Sequence, residues 1–273
     1  MKVTILGSGS AGNATLIEAG GTRLLVDAGF SGRDLERRLL AVDVDPASLD
    51  GIVITHEHGD HTRGMGVLAR RHGIPLYLTP VTRRACQSLL TGDERIVPYR
   101  SGEPFRVGAL EVRPFLTVHD AVDPVAVAVR DVATGLKLGI ATDMGRPTAS
   151  VRHALSDCHL LVLEANHDEV MLRDGPYPWS VKQRIASSRG HLSNRAAAEL
   201  ARELHHRALR GVVLAHLSEH CNDAALAEEV VGGALERAGF SGLLRVAPQD
   251  RPLEPIDVGR LVGRGGATQL ELL

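Results

Sequence analysis

A cluster of potential metal ligands follows a short apolar strand pattern at residues 51–55. The chain there reads Thr55-His56-Glu57-His58-Gly59-Asp60-His61, and a helix pattern comes next. In an extended segment His56 and His58 point to the same side, and Asp60 and His61 follow where the chain turns. Imidazole and carboxylate ligands suit Zn²⁺ and also Mn²⁺ or Fe²⁺. The spacing predicts a metal site at a strand end rather than a polar turn that happens to be rich in histidine.

Four more aspartates and histidines stand at the ends of other predicted strands: Asp27, His119, Asp143 and His216. Side chains that follow neighbouring strands converge at one edge of a sheet, so we expect these four to meet the histidine cluster. Taken singly, each residue could instead be a turn, surface or core residue.

The elements that must position these residues follow from apolar periodicity. Runs rich in β-branched residues predict strands at 2–6, 14–19, 22–27, 51–55, 95–99, 104–107, 110–118, 124–131, 136–141, 159–165 and 211–216. Amphipathic patterns predict helices at 32–41, 62–72, about 80–90, from 194 onward and at 222–238. This order predicts an α/β fold of two mixed sheets with helices outside, and the pattern alone leaves a three-layer sandwich open.

The spacing His56-x-His58-x-Asp60-His61 resembles the signature of the metallo-β-lactamase superfamily. Asp27, His119, Asp143 and His216 match the later or supporting motifs of that superfamily in the same order along the chain. The resemblance implies an αββα sandwich, made of two mixed β-sheets with outer helices. It also implies a single domain over residues 1–273, in which the glycines and prolines of residues 251–273 predict an irregular tail.

The same resemblance implies a ligand set for two divalent metal ions, zinc or manganese. One ion would be bound by His56, His58 and His119 and the other by Asp60, His61 and His216, with Asp143 as the bridge. Asp60 and Asp143 would also orient the attacking water. A bridging carboxylate holds two ions about 3.5–4 Å apart, the spacing used for in-line displacement at phosphorus.

Two further motifs indicate which branch of the superfamily the chain resembles. Glu164 follows a buried strand pattern, and His191 precedes the helix pattern that starts at residue 194. They are similar to the pair in tRNase Z-type phosphodiesterases, where the histidine protonates the leaving oxygen and the glutamate orients it. The sequence around both residues is more similar to that of the YycJ (WalJ) group of bacterial metallohydrolases, which is associated with 5′→3′ exonuclease activity on DNA. A helix-capping histidine and a structural salt bridge are the alternative roles.

The resemblance therefore implies a dinuclear-metal phosphodiesterase that acts on DNA from a 5′ end, by attack of a metal-activated water on phosphorus. The interval from Asp143 to His216 is too short for an inserted β-CASP domain, and no Gly/Pro-rich arm for gripping tRNA is visible. Three alternatives stay open: a thioester or lactone hydrolase of the glyoxalase II type, a tRNase Z-like RNA nuclease, and a metal-bound regulatory module without turnover.

Charge indicates that contacts with nucleic acid would be local. The 31 basic and 33 acidic residues give a net charge of −2, so no global field attracts a polyanion. Basic residues that could hold a phosphate backbone, or could simply lie on solvated helix faces, are Arg33, Arg37, Arg38, Arg70, Arg71, Arg83, Arg84, Lys182 and Arg184. The glycine-rich residues 8–13 could bind a terminal phosphate as a nest of N–H groups or form a tight hairpin.

Composition sets the remaining limits. The 273 residues are 44% hydrophobic and 23% charged, which excludes a disordered or coiled-coil chain. No apolar run approaches the length of about 18 residues that a membrane span needs. The first residues predict a strand rather than a signal peptide. Three widely spaced cysteines fit neither a disulfide framework nor a cysteine metal site, which favours the cytoplasm.

Overall fold

Two seven-stranded β-sheets form the centre of the computed structural model, which describes residues 1–264. The strands of the first half are β1 Lys2–Gly7, β2 Ala14–Ala19, β3 Thr22–Val26, β4 Gly51–Val53, β5 Leu76–Leu78 and β6 Ile96–Pro98. The later strands are β7 Phe105–Val107, β8 Leu110–Leu116, β9 Val125–Asp131, β10 Lys137–Ala141, β11 Leu160–Glu164, β12 Gly211–Ala215, β13 Leu243–Val246 and β14 Ile256–Asp257. One sheet has the order β14-β1-β2-β3-β4-β5-β6 and the other has β13-β12-β11-β10-β9-β8-β7.

Helices cover the outer faces of both sheets. They are α1 Gly32–Leu40, α2 Gly59–Thr62, α3 Met65–His72, α4 Pro80–Ala85, α5 Ala149–Leu155, α6 Glu169–Asp174, α7 Trp179–Ile185, α8 Asn194–Leu204, α9 Ala224–Arg237 and α10 Val258–Arg264. Helices α1 and α3 pack on the first sheet, and α5, α8 and α9 pack on the second. Between residues 1 and 264, none of these helices combines the length and the apolar character that a bilayer span requires.

The apolar layer between the sheets explains why the strands are continuously hydrophobic. Val3, Ile17, Val112, Val127 and Val162 come from both sheets and share one buried cluster. Strands β10, β11 and β12 are buried along their whole length, because helices cover the face that does not meet the other sheet. Strands buried on both faces lose the alternation of apolar and polar residues. The predicted αββα architecture is confirmed.

Parallel pairing brings the predicted site residues to one edge. Strands β10, β11 and β12 run parallel, with Ala141 opposite Leu163 and Glu164 opposite Ala215. In the first sheet β3 and β4 are also parallel, so that Asp27 and the histidine segment leave at the same edge. The chain turns sharply just after three of these strands, where Asp27, Asp143 and His216 have φ values of 62°, 60° and 56°.

Several elements differ from the sequence expectation. The helix predicted at 62–72 is divided into α2 and α3, and the one predicted at 80–90 ends at Ala85 before a short 3₁₀ turn. The segment predicted as an irregular tail at 251–273 contributes β14 and α10, and residues 265–273 of it lie outside the described residues. Strand β14 pairs with β1, with Ile256 opposite Val3. Because β14 and β1 are far apart in sequence, no local sequence pattern predicts their pairing.

Gly29 allows the histidine segment to pack against the loop after β3. A Cβ at Gly29 would lie 1.6 Å from the backbone oxygen of Asp60 and 2.7 Å from the backbone nitrogen of Asn13. The Asn13 N–H donates to that same oxygen at 2.8 Å, so the backbone has no room to move apart.

We therefore expect Gly29→Ala to lower the free energy of unfolding by at least about 1–3 kcal/mol, the usual cost of overpacking. Thermal unfolding is the measurement. Gly233→Ala is the matched control, because a Cβ in the interior of α9 meets only the flexible end of Arg237. That variant should be as stable as the wild type or slightly more stable. Equal melting temperatures for the two variants would contradict the close packing.

Candidate metal centre

Three histidines form the first group of candidate ligands. His56 lies in the segment after β4, His58 stands just before α2, and His119 follows β8. One ligand atom from each residue lies within 4.8 Å of the others. Nδ1 of His58 and Nε2 of His119 are 3.3 Å apart. The structure thus places in contact two residues that are far apart in sequence.

A second group lies beside the first. Asp60 and His61 belong to α2, and His216 follows β12. Oδ2 of Asp60 is 3.2 Å from Nε2 of His216 and 3.5 Å from Nε2 of His61. Both groups match the two sets of three that the sequence predicts, and their roles as ligands stay predictions.

The carboxylate of Asp143 lies between the two groups. Its Oδ1 is 3.6 Å from Nε2 of His119, in the first group, and 3.7 Å from Nε2 of His216, in the second. Its Oδ2 is 3.1 Å from Nε2 of His61. All seven predicted ligands are therefore brought together, with the Asp143 carboxylate between the two groups.

Hydrogen bonds on the far side of each ring orient the imidazoles. Nδ1 of His61 donates to Asp27 at 2.8 Å, and Nδ1 of His119 donates to the Gly190 carbonyl at 3.0 Å. Nδ1 of His216 donates to Glu164 at 3.1 Å. When these imidazoles are neutral, the contacts favour a proton on Nδ1, so that each Nε2 offers a lone pair to a metal ion, as is usual for histidines that bind metals.

Two orphaned atoms indicate that the cluster fits a cation. Among residues 1–264, Nε2 of His56 and Oδ2 of Asp143 are buried polar atoms without a hydrogen-bond partner. A buried polar atom left unpaired costs about 1–3 kcal/mol. The 3.1 Å contact from Asp143 to Nε2 of His61 would also join two acceptors, given the proton on Nδ1. Two divalent ions, one beside His56 and one beside His61 with Asp143 between them, would satisfy all three atoms.

The buried carboxylates of the cluster must be balanced by positive charge. Burial lowers the pKa of His216, but the charge of Asp143 and hydrogen bonds to Asp60 and Glu164 outweigh it and raise that pKa to about 10. Burial likewise opposes ionisation of Glu164, yet the neighbouring His191 lowers the pKa of this carboxyl to about 2. Without a metal, protonated imidazoles must balance the carboxylates, and bound cations can replace them.

Glu164 and His191 form a pair at the edge of this cluster. Nδ1 of His191 lies 2.7 Å from Oε1 of Glu164 and 3.8 Å from Asp143. The side chain of His191 is 20% exposed, whereas that of Glu164 is fully buried. Glu164 also accepts a bond from His216, a second role that the sequence resemblance does not include. It therefore connects a candidate ligand to the candidate proton donor.

Asn13 is a site residue whose role sequence reasoning missed. Its Nδ2 lies 3.2 Å from Nε2 of His61, and its backbone N–H donates to the Asp60 carbonyl. The N–H groups of Gly9 and Ala11 are already bonded to Asn13 and Gln249 side chains. Of the two interpretations of residues 8–13, the structure favours a tight turn that supports the ligands over a phosphate nest.

Several arginines considered as phosphate contacts have structural partners. Arg38 is 5% exposed, bonds the Leu6 carbonyl and stacks on Phe30. Arg70 is paired with Glu94 and Arg71 with Glu36. These partners occupy three of the arginines that could otherwise hold a phosphate backbone.

Comparison with known proteins identifies the family. A profile of the beta-lactamase superfamily domain matches residues 22–217, which include every candidate ligand. The chain belongs to the metallo-β-lactamase superfamily. Exodeoxyribonuclease YycJ from Bacillus anthracis is 35% identical to this metallo-β-lactamase-fold protein over 243 residues, which cover 88% of the chain and 91% of the relative.

Two solved structures have the same fold. The metallo-beta-lactamase fold protein YhfI from Bacillus subtilis matches with a TM-score of 0.71 and 22% identity, over 93% of this chain and 99% of YhfI. The short form of human tRNase Z matches with a TM-score of 0.65 and 18% identity, over 94% of this chain and 99% of that one. At these identities the likeness concerns the fold alone.

The Asp27–His61 contact gives a test of how the ligands are held. Asp27→Asn keeps the size and the tolerance for positive φ but removes the charge opposite Nδ1 of His61. We expect metal affinity to fall about 10- to 100-fold, as is usual when the partner of a ligating histidine is changed.

The measurement is metal retention against a chelator of known affinity. Asp43→Asn is the matched control, because Asp43 has a φ of 59° and is exposed. Equal retention by the two variants would show that Asp27 does not support a ligand.

Proposed function

We propose that this protein is a dinuclear-metal phosphodiesterase that degrades DNA from a 5′ end. The Glu164–His191 pair beside the ligand cluster is the observation that supports it most directly, because a proton donor there suits a poor leaving group. Similarity to a curated exodeoxyribonuclease over most of both chains supports DNA as the substrate. Three buried thiols, Cys86, Cys158 and Cys221, fit the proposed cytoplasmic location.

When bound, zinc or manganese ions would supply an activated water nucleophile and stabilise negative charge on the phosphate. The residues that would hold them are His56, His58, Asp60, His61, His119, Asp143 and His216. Asp60 is 21% exposed and borders the open side of the cluster, where it can orient the attacking water.

His191 would hold the proton that the leaving sugar oxygen needs. Its Nδ1 is bonded to Glu164, so Nε2, on the opposite side of the ring, is left to donate. The Glu164 carboxylate outweighs burial and raises the pKa of His191, which favours the protonated imidazole. A thioester or lactone hydrolase has no need for this acid, because its leaving group requires less assistance.

His191→Ala should therefore slow DNA hydrolysis by about 10²–10⁴-fold, the usual contribution of a general acid. The same variant should keep most of its activity on bis(p-nitrophenyl) phosphate, because a nitrophenolate leaves without a proton. Parallel assays on both substrates, together with metal analysis, measure how much more activity is lost on DNA than on bis(p-nitrophenyl) phosphate.

His153→Ala, which changes an exposed histidine on α5, is the control and should behave as the wild type. Equal slowing of both substrates by His191→Ala, or loss of metal, would mean that His191 is a ligand or a structural residue. Glu164→Ala should reduce both activities, since Glu164 also orients His216.

The direction of degradation is a separate prediction. Linear single strands with a 5′ phosphate should lose nucleotides from that end, and closed circles should resist. Activity should fall as salt rises, because backbone contacts release counterions. Strands labelled at either end measure polarity, with RNA and S-lactoylglutathione as alternative substrates. Shortening from the 3′ end, rapid cutting of circles, or faster turnover of either alternative substrate would contradict the proposal.

A further inference from the structure

Asp120 is a further carboxylate beside the first group of candidate ligands. It directly follows His119, one of the three histidines of that group. Its Oδ1 lies 3.2 Å from Nε2 of His119, the same atom that approaches His58 and Asp143. The side chain of Asp120 is 27% exposed. An oxygen that none of the predicted ligand roles includes therefore lies at the open rim of the first group.

The hydrogen bond on the far side of His119 restricts how this contact can be explained. The Gly190 carbonyl can only accept, so Nδ1 of His119 carries a proton and donates to it at 3.0 Å. When the imidazole is neutral, its Nε2 is an acceptor, and Oδ1 of Asp120 is one as well. Two acceptors 3.2 Å apart repel each other unless a cation binds both of them. The contact between Asp143 and His61 has the same pattern.

The loop that carries Asp120 is fixed to its surroundings at two points. The backbone N–H of Val122 donates to Oε1 of Glu57 at 2.9 Å, which ties the loop to the histidine segment. The Val118 carbonyl accepts from the Gly145 N–H at 2.8 Å, which ties the loop to the turn after β10. These bonds restrict the position of the carboxylate, and a side chain that binds a metal ion needs such support.

The two groups of candidate ligands differ in charge, and Asp120 removes the difference. The second group contains Asp60, whereas the first consists of three imidazoles, and Asp143 lies between them. With Asp120, each ion would have one carboxylate of its own besides the shared one. Three imidazoles and two carboxylates exceed the four ligands of tetrahedral zinc, and carboxylate oxygens suit Mn²⁺.

We propose that Asp120 supplies an additional oxygen ligand to the first metal ion, beyond the three imidazoles and the shared Asp143. The inference rests on the proposed dinuclear centre and adds a residue that determines which ion binds at one of its two positions. The added oxygen raises the number of protein ligands above four, and it therefore favours Mn²⁺ over Zn²⁺ at this position.

The ion pair with Arg184 gives Asp120 an alternative role. Oδ2 of Asp120 pairs with Nε of Arg184, which belongs to α7 and is 65% exposed. If this pair were the whole function of the carboxylate, Asp120 would only fix α7 beside the centre. The pair occupies Oδ2, however, and leaves Oδ1 next to Nε2 of His119. The two roles predict different effects for substitutions at the two ends of the ion pair.

Metal retention against a chelator of known affinity separates these roles. Asp120→Asn should lower the Mn²⁺ affinity of one of the two positions at least about 10-fold, because even changing an indirect partner of a ligand costs that much. The loss for Zn²⁺ should be smaller, since zinc is satisfied by four ligands. Arg184→Gln should retain both ions as the wild type does, because it leaves Oδ1 of Asp120 in place.

Cobalt loading tests the coordination itself. Visible absorption by Co²⁺ is weak with five or six ligands and strong with four, so Asp120→Asn should absorb more strongly than the wild type. Asp123→Asn is the matched control for both measurements. Asp123 is a partly exposed aspartate of the same loop and forms no ion pair with a histidine between residues 1 and 264.

Both readouts are independent of turnover. Equal Mn²⁺ retention by Asp120→Asn and the wild type, or equal losses in Asp120→Asn and Arg184→Gln, would overturn the ligand role. An unchanged cobalt spectrum in Asp120→Asn would overturn it as well. A wild type that binds two ions and shows the expected differences but cleaves no DNA would contradict the proposed function and support the ligand role.

Discussion

The burial of carboxylates among imidazoles is the constraint on which the site depends. Asp27, Asp143 and Glu164 are each at most 4% exposed. An ionised carboxylate in such a place is costly unless it is paired and hydrogen-bonded. Each of the three lies within 3.1 Å of at least one histidine nitrogen, and this contact compensates part of the cost of burying its charge. Bound divalent ions would compensate the remaining cost of burying these charges, so metal binding and the stability of this edge are coupled.

The fold brings these groups together through the ends of its strands. Asp27, Asp143 and His216 take a left-handed conformation just beyond β3, β10 and β12, and their side chains contact the candidate ligand cluster. Aspartate tolerates this conformation, whereas histidine needs support. The backbone N–H of His216 donates to Ser8 and its carbonyl accepts from Asn166. Backbone strain that surrounding contacts maintain is common at functional sites.

The sequence predicts those parts of the site that combine a local spacing with a strand end. His56, His58, Asp60 and His61 follow one strand of the first sheet, and they meet Asp143 because the corresponding edges of the two stacked sheets lie together. The local patterns leave a three-layer sandwich open, whereas the two-sheet architecture that the family resemblance implies is confirmed. The ligand roles themselves stay predictions that chemical measurements must decide.

Features that depend on distant contacts could not be predicted. The bond from His119 to the Gly190 carbonyl and the support of His61 by Asn13 join segments with no common pattern. Strand β14 exists because it pairs with β1 at the other end of the chain. The helix pattern predicts that Arg38 is exposed, but its side chain is buried against the ring of Phe30. In each case tertiary packing, and not local preference, decides the role of the residue.

The most direct measurement is the number of metal ions per chain in the purified protein and in Asp143→Ala, with Asp43→Ala as a control for the same φ near +60°. We expect about two ions in the wild type and the control, and a clear loss of metal and DNA hydrolysis in Asp143→Ala. Full occupancy and wild-type activity in Asp143→Ala would contradict it.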